Sequence, residues 1–113
     1  MQDQPEATVS CRAEAAEGVH DPEAHLAAIC AAVEDAAALA GVRGGTQIVL
    51  VAETLRTDFF RGHLRWQTAA GHRTGPTVEF GILDAGLGPA QYRPLARGLV
   101  DASDLPQGPV AEN

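Results

Sequence analysis

Three strand-type segments follow one another in the second half of the chain, and the links between them are too short for crossover helices. The segments are 46–55, 60–68 and 76–83, and the links are 56–59 and 69–75. Parallel strands need a connection of about a dozen residues or more, whereas antiparallel strands can be joined by a short turn. This order therefore predicts an antiparallel sheet built from hairpins.

A helix and a further strand precede these segments. Residues 8–14 alternate between apolar and polar side chains, which predicts a half-buried strand. Asp21 and Pro22 are typical of a helix start, and Gly41 is typical of a helix end. Apolar residues at spacings of three and four between them predict a helix over about 22–40.

The last periodic segment predicts a second helix. Leu95 and Leu99 recur at helical spacing, and Pro94 lies just before them. Since a proline is tolerated only in the first turn of a helix, we expect the helix to open near Pro94. The fold class is therefore α+β: a four-stranded, mainly antiparallel sheet in the order strand-helix-strand-strand-strand-helix, with both helices on one face.

The length of 113 residues suits one domain. We assign residues 8–102 to that domain, 1–7 to a flexible N-terminal arm and 103–113 to a flexible tail. No run approaches the ~18 apolar residues that cross a bilayer, so we expect no membrane span.

The charge is concentrated at one end of the chain. The net charge is −7, and residues 1–35 account for it, with eight acids against Arg12 alone. A field of this sign repels phosphate backbones, so we expect no nucleic-acid partner. The helix, three strands and helix are similar in outline to the double-stranded-RNA-binding domain. That family reaches phosphates through lysine-rich elements, and this chain contains no lysine.

Cys11 and Cys30 are predicted to face the same core from neighbouring elements, and we expect them to form a disulfide. The alternative is a pair of buried reduced thiols. Residues 1–5 lack the basic and apolar regions of a signal peptide. We therefore expect a mature periplasmic or secreted chain whose leader has been removed, with a cytoplasmic protein as the alternative.

The solvent face of the predicted sheet carries the candidate site. Alternation within 60–68 places Arg61, His63 and Arg65 side by side, ~7 Å apart. Neighbouring strands can add Glu53 and Glu79. One interpretation is a charge ladder that keeps an open sheet face soluble, and another is a binding surface for a protein or an anionic ligand. A third makes His63 a catalytic base beside an acidic neighbour, although no serine or cysteine nucleophile is predicted close to it.

Neither a metal nor a cofactor is expected. The spacings of the four histidines, His20, His25, His63 and His72, match no tetrahedral metal site. The glycine-rich segment 81–89 follows a strand but lacks the GxGxxG pattern of a nucleotide site. Trp66 falls on the inner face of its strand, where we expect it to anchor the core.

These observations favour a small exported binding or assembly protein without catalytic activity, which uses its open sheet face. We expect a monomer or a homodimer whose partner is another protein or an anionic ligand. Two alternatives come from other classes: a small enzyme that uses His63, and a structural subunit of a homo-oligomer.

Overall fold

The computed structural model describes residues 9–15, 23–56, 58–68, 71–81 and 88–107. The elements in these ranges are β1 (Ser10–Ala15), α1 (Glu23–Leu39), β2 (Gln47–Arg56), β3 (Phe59–Thr68), β4 (Gly71–Thr74), β5 (Val78–Gly81) and α2 (Pro89–Ala102). The predicted helix start at Asp21 and Pro22 lies outside the described residues, as does the part of the predicted strand 76–83 that follows residue 81.

The strands form one mixed sheet, which confirms the α+β fold class. β1 pairs in parallel with β2, because α1 returns the chain to the end of the sheet from which β1 began. β2 and β3 form an antiparallel hairpin. β4 pairs with the second half of β3 and β5 with its first half, so together they form one interrupted strand along the same edge.

The predicted link 69–75 therefore contains a strand that the sequence pattern did not indicate. β4 spans only four residues, and three of them are exposed. Such a strand has no apolar alternation, because it buries no side chain on either face. Its pairing comes from the hairpin with β3 rather than from its own composition.

Both helices pack on one face of the sheet. The buried hydrophobic residues of the described chain are Leu26, Ile29, Cys30, Val33, Ala37, Val42, Ile48, Leu50, Ala52, Leu55, Phe60, Leu64, Trp66, Leu95, Ala96, Leu99, Val100 and Leu105, and they form a single cluster. Its strand members occupy the inner positions of β2 and β3, as the alternation predicts. Trp66 is 4% exposed, which agrees with its predicted place in the core.

The second helix begins earlier than predicted, and this is a correction. α2 starts at Pro89, so Pro94 lies inside it rather than in its first turn. A proline there cannot donate to the carbonyl of Ala90. The helix persists because Leu95 and Leu99 are fully buried in the core that α2 shares with α1 and the sheet, and tertiary packing outweighs the lost hydrogen bond.

Residues 103–107 belong to the packed domain rather than to a loose tail. Leu105 is 4% exposed and is part of the core. The Arg43 amide donates to the Pro106 carbonyl at 2.8 Å, and Val42 forms a β-bridge with Gln107. These contacts fix this stretch beside the loop that follows α1.

Candidate functional site

The face of the sheet away from the helices carries a mixed-charge surface, which we call the open sheet face. It consists of Arg12, Glu14, Val49, Val51, Glu53, Arg61, His63, Arg65 and Glu79. Strand pairing sets its rows, because Val49 lies opposite both Arg12 and Arg65, and Val51 lies opposite both Glu14 and His63. Two half-buried valines are thus flanked by charged side chains.

A β-bulge in β2 positions Glu53. Ala52 lies opposite Gly62 and Thr54 lies opposite Arg61, which leaves Glu53 as the extra residue. Because of this extra residue, Leu55 points into the core as Ala52 does, although the two are three positions apart. The side chain of Glu53 contacts β3. One carboxylate oxygen lies 2.9 Å from Nδ1 of His63, and the other lies 3.5 Å from Nε of Arg61.

Ion pairs connect the strands across the whole face. Arg61 lies between Glu53 and Glu79, with its Nε 3.8 Å from the Glu79 carboxylate. Arg65 lies 3.3 Å from Glu14, and the other oxygen of Glu14 lies 3.1 Å from Arg12. Each of these three arginines therefore has a carboxylate partner, and the three arginines balance the three glutamates.

All five residues predicted for the site lie on this face. Arg61, His63 and Arg65 come from β3, Glu53 from β2 and Glu79 from β5. Arg12 and Glu14 also lie on this face but were not among the predicted site residues, because their place depends on β1 being the neighbour of β2. The alternation of β1 indicated which of its residues face outwards, but no local pattern identified the partner strand.

Glu53 is the described hydrogen-bond partner of His63. The side chain of His63 is 17% exposed, and its Nδ1 forms a hydrogen bond with the Glu53 carboxylate. The hydroxyl of Ser103 is bonded to the Leu99 carbonyl, on the helix side of the sheet. His63 lines none of three grooves of about 750, 420 and 390 Å³ that indent the described part of the chain.

The smallest of these grooves lies in the open sheet face. Arg12, Val49 and Arg65 line it side by side, together with Gln67 and His72. Its floor is the row in which a half-buried valine separates two arginines. The face is therefore concave at this end.

No cluster of three or more metal-ligating side chains occurs among the described residues. His20 lies outside them, so the predicted pair of His20 and His25 is not described together. The described partner of His25 is Tyr92, whose hydroxyl lies 2.6 Å from its Nδ1. This contact joins the first turns of α1 and α2, and nothing in the sequence pattern pointed to it.

The two cysteines meet on the other side of β1. The structure places the sulfur atoms of Cys11 and Cys30 at disulfide distance, with their Cα atoms 5.4 Å apart, as the sequence analysis expected. Glu34 of α1 lies beside them, and its carboxylate accepts a hydrogen bond of 2.8 Å from the backbone amide of Cys11. This cluster ties the edge strand to α1.

Comparisons with protein-family models, with curated proteins and with solved structures find no match to this chain. Among the described helices, none has the length and apolar character needed to cross a membrane.

Proposed function

We propose that this protein is a small binding or assembly protein without catalytic activity, and that it engages another protein through the open sheet face. The observation that carries the proposal is the composition of that face. It combines two half-buried valines and a groove with three arginines and three glutamates that are already paired. Neither helix covers it, since both pack on the opposite face.

The charge balance favours a protein partner over a small anion. An anion would have to displace Glu14 or Glu53 from an arginine, and it would approach a chain of net charge −7. A protein surface that carries both acidic and basic side chains can form new ion pairs with the arginines and the glutamates of the face, so that no charge is left unpaired. Arginine is also among the residues that anchor protein interfaces most often.

An exported location is part of the same proposal. Cys11 and Cys30 are at disulfide distance, and stable disulfides occur mainly in oxidising compartments. We therefore propose a periplasmic or secreted protein that acts on another exported protein.

The test compares two double variants that remove the same charge from opposite sides of the molecule. Arg61→Ser/Arg65→Ser alters the open sheet face, and Arg93→Ser/Arg97→Ser alters exposed positions of α2. Each protein is immobilised and used to capture partners from an extract of its source cells. We expect the wild type and the α2 variant to retain one discrete partner, and the sheet variant to lose it.

Both variants should melt close to the wild type, because exposed ion pairs contribute only ~0–1 kcal/mol each. If the sheet variant captures the same partner as the wild type, the face is a solubilising charge ladder and the proposal fails. Recovery of untagged copies of this same chain would favour the homo-oligomer instead.

A further inference from the structure

β1 is attached to the domain in a different way from the other long strands. None of its six residues is fully buried, although Cys11 and Ala13 pack against the core cluster as partly buried side chains. Its inner side chains are small: Cys11 and Ala13 are partly buried, and Ala15 is exposed. Hydrophobic burial therefore holds this strand at the sheet edge less firmly than it holds β2 and β3.

We propose that the Cys11–Cys30 bridge is a redox latch, whose reduction by a dithiol releases β1 from the sheet edge while the rest of the domain stays folded. Among the described residues, four kinds of contact hold β1: backbone pairing with β2, packing of Cys11 and Ala13 against the core, the cluster around Cys11, and the ion pair between Glu14 and Arg65. The bridge is the covalent member of this set. The bridge also keeps the Cys11 amide next to the Glu34 carboxylate. It therefore joins β1 to α1 directly and also supports the hydrogen bond between them.

The bridge lies where a reductant can reach it. A groove of about 420 Å³ runs between β1 and α1, and both cysteines line it. Cys11 is partly exposed, whereas Cys30 is buried. Cys11 is therefore the more accessible of the two cysteines in this groove.

The chemistry is thiol–disulfide exchange. A thiolate of the dithiol attacks one sulfur and forms a mixed disulfide, which expels the other cysteine as a thiolate that takes up a proton. The second thiol of the reductant then displaces the first cysteine in the same way. The bridge gains two electrons and two protons, and the dithiol becomes a disulfide.

The remaining domain keeps its core after this step. Seventeen of the eighteen buried hydrophobic residues are not cysteines, and none of the eighteen belongs to β1. Departure of β1 exposes the backbone groups of β2 that now pair with it. The outcome is an edge change in an otherwise folded protein rather than global unfolding.

Hydrogen–deuterium exchange, followed by mass spectrometry of peptides, tests the latch. Wild-type protein is compared before and after treatment with dithiothreitol, and the gain of two hydrogens in the intact mass verifies the reduction. We expect exchange in the peptide that covers Ser10–Ala15 to accelerate by about 100-fold. Protection in Phe59–Thr68 and in the buried turns of α1 should change little.

The variant Cys11→Ser/Cys30→Ser should show the exchange of reduced wild type without any reductant, and dithiothreitol should not change it further. The variant Glu34→Ala, with the bridge intact, should speed exchange of the Cys11 amide but leave β1 protected. The proposal is overturned if β1 stays protected in verified reduced protein. It is overturned equally if every strand loses protection together, because the disulfide would then stabilise the whole domain rather than β1 alone.

Discussion

Gly62, in the hairpin of β2 and β3, has no room for a side chain. A Cβ atom built there would collide with the Val51 carbonyl oxygen and would lie 2.7 Å from the Phe60 ring. Since both neighbours belong to the packed sheet, neither can move away without disturbing the core. We expect Gly62→Ala to destabilise the domain by about 2–3 kcal/mol and to lower the melting temperature by about 10 °C.

Thermal denaturation followed by circular dichroism measures this effect, and Gly81→Ala provides the control. Gly81 lies in the neighbouring strand β5, and a Cβ atom there would meet no heavy atom within 4 Å. The control should melt within a few degrees of the wild type. Equal melting temperatures for both variants would show that β2 and β3 are not packed as closely as the structure has them.

Individual residues show what alternation can predict. Phe60, Leu64 and Trp66 lie inside, and Arg61 and His63 lie outside, because the two-residue period of a strand fixes the side chain directions once one face is apolar. The bulge at Glu53 is different. It depends on the pairing between β2 and β3, and the sequence around Glu53 contains no glycine or proline that would signal it.

Among the elements, α2 departs most from its predicted start. A rule that confines proline to the first turn placed the opening near Pro94, whereas Pro89 is the first residue of the helix. The rule failed because it weighs the local hydrogen bond alone. Burial of Leu95 and Leu99 in the core shared with α1 and the sheet stabilises a helix that continues through Pro94.

Because Pro94 lies inside α2, we predict that Pro94→Ala stabilises the protein. Alanine restores the donor to the Ala90 carbonyl and removes a cost of about 3 kcal/mol for an interior proline, which the greater freedom of the unfolded chain offsets in part. We expect a net gain of about 1–2 kcal/mol and a melting temperature about 5 °C higher, measured by calorimetry.

Pro89→Ala is the matched control for this substitution. Its backbone nitrogen stands at the first helical position, where no intrahelical partner exists in any case. The control should therefore show no gain. A Pro94→Ala variant that is no more stable than Pro89→Ala would mean that α2 does not run continuously through residue 94.

At the scale of the whole molecule, the sequence predicted how the helices and the sheet are layered better than it predicted which strands are neighbours in the sheet. The short links from 46 to 83 implied hairpins, and the one-sided apolar pattern implied that both helices cover the same face. The parallel pairing of β1 with β2 was not accessible in this way, because β1 is short, weakly apolar and separated in sequence from its partner. That pairing is what brings Glu14 to Arg65 and completes the open sheet face.

The central claim, that the open sheet face binds another protein, is tested most directly by photo-crosslinking in the source cells. A photoreactive amino acid replaces Val49, in the groove of that face, or Leu39, which is 89% exposed at the end of α1. We predict that position 49 yields one discrete crosslinked product containing a different protein, and that position 39 yields none. The claim is contradicted if position 49 gives no product, or if both positions give the same products.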